Sequence, residues 1–155
     1  MLPLAVLGFV AWQALPSLMA AWGNDLYSRG APLASAIWLA PLAWSHFKTP
    51  QSPTSQRFAW LVIALCLCAT GAITQLRACQ HVALACALTA TLSGRLASSV
   101  TLITAFAWIP ATGWLLSRWQ SGGLVGWERP ALASSLTLFL ITRTRVSSHA
   151  NPSPP

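Results

Sequence analysis

The strongest indication of the fold lies at residues 58–76, which read Phe-Ala-Trp-Leu-Val-Ile-Ala-Leu-Cys-Leu-Cys-Ala-Thr-Gly-Ala-Ile-Thr-Gln-Leu. No charged side chain interrupts these 19 residues. An α-helix needs about 20 mainly apolar residues to cross the roughly 30 Å of hydrocarbon in a bilayer. The stretch therefore predicts a membrane-spanning helix.

Other uncharged intervals surround this stretch and are separated by short polar segments. They are 1–24, 30–47, 78–94, 96–117 and 130–142. Pro16 and Pro41 predict kinks in the first and second spans, and the fourth span is expected to begin near Gln75 with Arg77 in its first turns. The last interval, 130–142, is short for a span and would need support from neighbouring helices. We therefore predict five to six spans.

The composition of the whole chain agrees with a membrane protein. Of its 155 residues, 55% are apolar and only 7% are charged, whereas a soluble domain carries about 25% charged residues. This disfavours a soluble enzyme, a disordered chain and a disulfide-stapled secreted module. The predicted fold class is an all-α, polytopic integral membrane helical bundle of about six transmembrane helices. It forms one domain over 1–142, followed by a disordered, proline-rich tail over 143–155.

The positive charges are scattered along the chain. A nucleic-acid surface needs clustered cations to neutralise several phosphates together, so we expect no nucleic-acid partner. With six spans, five cations fall on one side and four on the other, which favours a multi-pass protein of the cell membrane with both termini in the cytoplasm. The first side holds Lys48, Arg57, Arg95, Arg143 and Arg145, and the second holds Arg29, Arg77, Arg118 and Arg129.

The candidates for chemistry are few. Cys79 lies between Arg77 and His81, and nearby positive charge would favour its thiolate, which makes it a weak candidate nucleophile. Residues two apart on a helix point in different directions, however. Cys79, His81 and Cys86 lack the fourth ligand of a zinc site, so we expect no metal and no cofactor. Cys66 and Cys68 are expected on different helix faces, as small hydrophobes.

Two stretches of the chain carry a family resemblance. The first runs Trp22-Gly-Asn-Asp25-Leu-Tyr27-Ser-Arg29-Gly-Ala-Pro-Leu. The second comprises Gly94-Arg95, residues 99–106, and Trp108-Ile-Pro-Ala-Thr112-Gly-Trp. Together they cover roughly residues 15–115 and resemble the amino-terminal membrane half of the exosortase/archaeosortase family. In that family a histidine stands where this chain has Arg29, and a second proline where it has Thr112.

The resemblance implies a relative of membrane cysteine proteases or transpeptidases that process proteins with a C-terminal sorting signal. The family's catalytic cysteine follows the Ile-Pro element, but this chain has no cysteine beyond Cys86. We therefore expect a truncated or divergent relative that retains the membrane-docking half. Asp25, Tyr27 and Arg29 are the residues expected to contact a substrate or partner.

The partners expected are the lipid bilayer and membrane-anchored substrate proteins or a second membrane subunit. The alternative is a non-enzymatic small membrane subunit or scaffold. Small residues such as Ala83, Ala87 and Ala90 in the fourth span predict close helix packing, which is compatible with either function.

Overall fold

The described part of the chain is helical throughout, without any strand. A computed structural model describes residues 2–24, 28–48, 54–92, 98–113, 128–135 and 137–138. Two 3₁₀ turns, Ala105–Ala107 and Pro110–Thr112, follow the fifth helix, and residues 128–135 are helical. The prediction of an all-α chain is confirmed for these residues. The helices are α1 (Leu2–Asn24), α2 (Ala31–Lys48), α3 (Thr54–Thr74), α4 (Arg77–Leu92) and α5 (Ser98–Thr104).

The tightest connection joins α3 to α4 through two residues. Gln75 has a φ of 58°, the left-handed conformation that commonly ends a helix, and its side-chain Nε2 donates to the carbonyl oxygen of Ala72 at 3.0 Å. The backbone N–H of Cys79 donates to the carbonyl oxygen of Leu76 at 3.0 Å. α4 begins at Arg77, close to the start predicted near Gln75. The two helices therefore form an antiparallel hairpin.

α4 is the central helix of the described bundle and packs against α1, α2, α3 and α5. Nearly every residue from His81 to Thr91 is buried. Small side chains let helix backbones approach closely, and the sequence supplies them along this segment. The predicted packing role of these small residues is confirmed by the burial of Ala83, Ala85, Ala87, Thr89 and Ala90.

α1 and α3 present apolar side chains to the outside. Trp12 is 80% exposed and Ile73 is 83% exposed. Both helices are long and apolar enough to cross a membrane, yet only 17% and 22% of their apolar windows are buried. A core helix of a soluble protein would be mostly buried instead. These two helices suggest a membrane localisation, and α1 also lies where a signal sequence would.

The helix boundaries differ from the predictions in two places. The polar segment between the uncharged intervals 30–47 and 58–76 is partly helical, because α2 extends to Lys48 and α3 already begins at Thr54. The interval 96–117 was expected to span continuously, but α5 ends at Thr104 and only 3₁₀ turns follow within the described residues. Pro110 explains part of this break, because proline lacks an N–H and holds the preceding residue, Ile109, in an extended conformation.

Candidate functional site

The described helices enclose a half-open apolar cavity of about 270 Å³. It lies between α1, α2 and α4, and the chain after α5 closes one part of its wall through Trp108. We call it the tryptophan cavity, because three of the nine tryptophans line it. Its lining residues are Leu7, Ala11, Leu15, Leu18, Trp22, Ser35, Trp38, Leu39, Leu84, Leu88 and Trp108.

Trp108 contacts both of the other tryptophans that line the cavity. The ring centroids of Trp38 and Trp108 lie 5.5 Å apart with tilted planes, and those of Trp22 and Trp108 lie 6.5 Å apart in an edge-to-face arrangement. Both geometries are favourable for aromatic pairs. Trp38 and Trp108 are only 3% and 2% exposed. The cluster therefore forms a rigid aromatic wall inside the bundle.

Hydrogen bonds fix the orientation of two of these rings. The indole N–H of Trp38 is shared between the Thr101 carbonyl oxygen at 3.1 Å and Thr104 Oγ1 at 2.8 Å. The indole N–H of Trp22 donates to the carbonyl oxygen of Trp108 at 3.3 Å. The contacts of Trp22 with Trp108 join α1 to the segment after α5.

A buried arginine supports the backbone where α5 ends. Arg129 is 1% exposed, and its Nη1 donates to the carbonyl oxygens of Ala107 at 3.2 Å and Ile109 at 3.0 Å. These carbonyls follow the end of the α-helix, where regular helical bonds stop. Backbone that leaves a helix inside a bundle must find other partners. Arg129 was expected as a boundary cation, but the structure places its side chain in the interior.

A polar pair joins α1 to α4. Ser17 Oγ lies 3.0 Å from His81 Nε2 and also donates to the carbonyl oxygen of Ala14 at 3.0 Å. A hydroxyl carries one hydrogen, so donation to Ala14 requires that His81 Nε2–H donates to Ser17. In this arrangement His81 does not activate Ser17 as a nucleophile. His81 Nδ1 is buried and has no hydrogen-bond partner within the described residues. The pair holds two helices together.

The predicted site residues are not brought into one site. Arg29 is exposed in the turn before α2, and Asp25 and Tyr27 lie outside the described residues. Cys79 is half-buried in the first turn of α4, where it packs near Gly71. Within the described residues, no hydrogen bond joins Cys79 to a basic side chain. Its placement on the helix hairpin explains its packing and gives no support to a nucleophile.

The remaining cysteines behave as small hydrophobes. Cys66 is exposed and Cys68 is buried, which confirms that they occupy different faces of α3, and Cys86 is buried in α4. Among the residues that the structure describes, no group of three or more histidine, cysteine or acidic side chains is placed to hold a metal ion.

Comparisons of this chain with protein-family models, curated proteins and solved structures return no match. The class of the protein therefore follows from its own architecture. It is an all-helical protein, over the described residues, with two helices whose length and apolar surface suggest membrane association.

Proposed function

We propose that this chain is a multi-pass integral membrane protein of about six spans that binds another membrane molecule and is not itself a catalyst. The observation that carries the proposal is the tryptophan cavity, an apolar site walled by fixed aromatic rings. Cavities of this kind, largely preformed and apolar, are the usual binding sites of proteins. The proposed function is therefore that of a membrane docking subunit.

The multi-pass arrangement is supported by the order of the helices. α1 to α4 follow one another with short connections, and the Ser17–His81 contact sets the end of α1 beside the start of α4. α4 has only 16 residues, but its neighbours shield it on most sides. A short helix of small residues suits the centre of a membrane bundle, where close packing replaces contact with lipid.

A binding role is favoured over catalysis by the surroundings of the candidate nucleophiles. Cys79 packs on a helix hairpin, and the Ser17 hydroxyl donates to a carbonyl. Nucleophilic catalysis needs a base in hydrogen-bond reach and a third group that orients the base. Neither residue has this set within the described part of the chain.

A second candidate is an exosortase-like docking protein for substrates with a C-terminal sorting signal. One observation favours it: Trp108 and Pro110, which carry the resemblance to that family, form the break after α5, and the Trp22 indole N–H links this break to the end of α1. In this version the docked molecule is a membrane-anchored protein. Asp25, Tyr27 and Arg29 would contact it at the end of the bundle where α1 ends.

Membrane fractionation followed by cysteine labelling tests the proposal. The full-length chain is expected in the membrane fraction after an alkaline wash, and thiols placed by Arg29→Cys and Lys48→Cys should react with an impermeant maleimide from opposite sides. A chain found in the soluble fraction, or labelled on one side only at both positions, would contradict it. If Cys79→Ala abolished the processing of a signal-bearing substrate in cells, the chain would be an enzyme and the docking role would be wrong.

A further inference from the structure

The tryptophan cavity is long and narrow. Its lining residues on α1 run from Leu7 through Ala11, Leu15 and Leu18 to Trp22, a spacing that keeps them on one face of the helix. Fifteen residues separate the first from the last, which corresponds to about 22 Å of helix at about 1.5 Å per residue. The tryptophan cavity therefore extends along most of the length of α1.

The volume of the cavity limits the size of the molecule that it can hold. A transmembrane helix about 10 Å wide and as long as the groove would fill on the order of 1,700 Å³, whereas the cavity holds about 270 Å³. An apolar cavity of about 150 Å³ already accepts a benzene ring. The space thus fits a single hydrocarbon chain and excludes a helix.

The chemistry of the lining selects an apolar occupant. Ser35 has the one hydroxyl among the lining side chains, and it donates to the carbonyl oxygen of Pro32 at 2.7 Å. The indole N–H groups of Trp22 and Trp38 are also engaged with protein acceptors. The Trp108 indole N–H is buried and has no hydrogen-bond partner within the described residues, so the cavity offers a ligand an apolar surface and at most this one donor, too few polar groups to orient a sugar, a nucleotide or a peptide backbone.

The end of the cavity at Trp22 carries a net positive charge by sequence, because Arg29 and Arg77 outnumber Asp25, which also belongs to the connection after α1. Arg29 stands in the connection that follows α1, and Arg77 is the first residue of α4, whose start lies beside the end of α1. Both side chains are exposed, and neither makes a hydrogen bond within the described residues. Arg57, near the other end of α4, is instead bound through Nε to the carbonyl oxygen of Ala90 at 3.0 Å. Exposed cations at a membrane surface attract anionic lipid headgroups.

We propose that the tryptophan cavity binds one acyl chain of an anionic phospholipid, with the headgroup beside Arg29 and Arg77. This inference rests on the proposed membrane placement, and it names the molecule that the docking subunit holds. The chain enters at Trp22 and runs along α1 towards Leu7. The aromatic wall of Trp38 and Trp108 contacts the chain on one side.

The first test uses the unaltered protein and tryptophan fluorescence. The full-length chain is reconstituted in phosphatidylcholine vesicles that contain a small fraction of phosphatidylglycerol brominated in its acyl chains, or the same fraction of brominated phosphatidylcholine. Trp38 and Trp108 are shielded from bulk lipid, so selective binding should make the brominated phosphatidylglycerol quench more strongly. Equal quenching by the two brominated lipids would overturn the proposal.

Cavity-filling variants locate the site. Ala11→Phe places a ring in the groove and should weaken the selective binding about tenfold, since contact with several methylenes is lost. Ala69→Phe, on the exposed face of α3, is the matched control and should leave binding unchanged. Leu88→Phe, with Leu65→Phe as its control, repeats the comparison in case Ala11→Phe fails to fold. Selective quenching that persists in both filling variants would place the lipid elsewhere and refute the cavity assignment.

Charge variants test the headgroup. Arg29→Gln and Arg77→Gln should each weaken the preference for phosphatidylglycerol about fivefold, while Lys48→Gln at the other end of α2 should not. If all three variants lost the preference for phosphatidylglycerol equally, the placement of the headgroup at the end of the cavity near Arg29 and Arg77 would be refuted. These results are distinguishable from failure of the proposed function, because a protein that does not enter membranes fails fractionation before any lipid is added.

Discussion

Gly71 sets the separation of α3 and α4, and its replacement by alanine tests this contact. A Cβ atom at residue 71 would lie 2.8 Å from Gln80 Cγ, 3.1 Å from the Leu76 carbonyl oxygen and 3.2 Å from Cys79 Cβ. The Gln80 side chain can move, but the carbonyl and the Cβ atom belong to the backbone framework of the hairpin. The two helices would therefore have to separate, or the turn between them would have to shift.

The magnitude follows from two opposing effects. Overpacking costs about 1–3 kcal/mol, while replacing a helical glycine by alanine gains up to about 1 kcal/mol. Gly71→Ala is therefore expected to lower the free energy of unfolding by about 1 kcal/mol. Gly8→Ala in α1 is the matched control, because nothing lies within 4 Å of its added Cβ. It should raise the free energy of unfolding, so the difference between the two variants measures the overpacking.

The assay is reversible unfolding of the purified protein in mixed micelles, followed by helical circular dichroism as the denaturing detergent is increased. A second substitution, Gln80→Ala, should recover part of the loss in the Gly71→Ala background, because it removes the closest contact. If Gly71→Ala proved as stable as Gly8→Ala, the close approach of α3 and α4 would be refuted.

Three further predictions use the same measurement. Trp38→Phe keeps an aromatic ring but loses the indole N–H, and should cost about 1 kcal/mol, whereas Trp12→Phe on the exposed face of α1 should be neutral; equal effects would contradict the assigned bonds. Arg129→Met removes the charged donor from two buried carbonyls and should cost about 3 kcal/mol; unchanged stability would show that the guanidinium does not support the break after α5. Ser17→Ala removes the acceptor of His81 Nε2–H and should cost about 1 kcal/mol, and a stabilised variant would argue against that bond.

The sequence predicted the long apolar helices well, because absence of charge over about 20 residues is a local property. α1 fills the uncharged interval 1–24, α3 covers most of 58–76 but begins earlier, at Thr54, and α4 begins at Arg77, two residues after the start expected near Gln75. The end of α5 at Thr104 was missed. Hydropathy does not register a change from α-helix to 3₁₀ turns, since the residues on both sides are equally apolar.

The cavity could not be predicted, because it depends on how three helices pack. Trp22, Trp38 and Trp108 are far apart in sequence, and a tryptophan near a span end has the same local pattern whether it faces lipid or another ring. The buried position of the Arg129 side chain was not predicted, for a similar reason. Its neighbours Glu128 and Pro130 mark a polar boundary, and only the tertiary structure shows the guanidinium meeting Ala107 and Ile109.

The unequal lengths of the helices have a consequence for the surrounding bilayer. α1, with 23 residues, is about 35 Å long, whereas α4, with 16 residues, is about 24 Å long at about 1.5 Å per residue. The hydrocarbon region is about 30 Å thick. α4 is shielded by its neighbours, so in the proposed membrane placement the lipid meets α1 and α3, whose 23 and 21 residues are about 35 Å and 32 Å long. Reconstitution in lipids of graded acyl length should therefore show the greatest stability at or slightly above the average thickness, and a maximum in thin bilayers would contradict this placement.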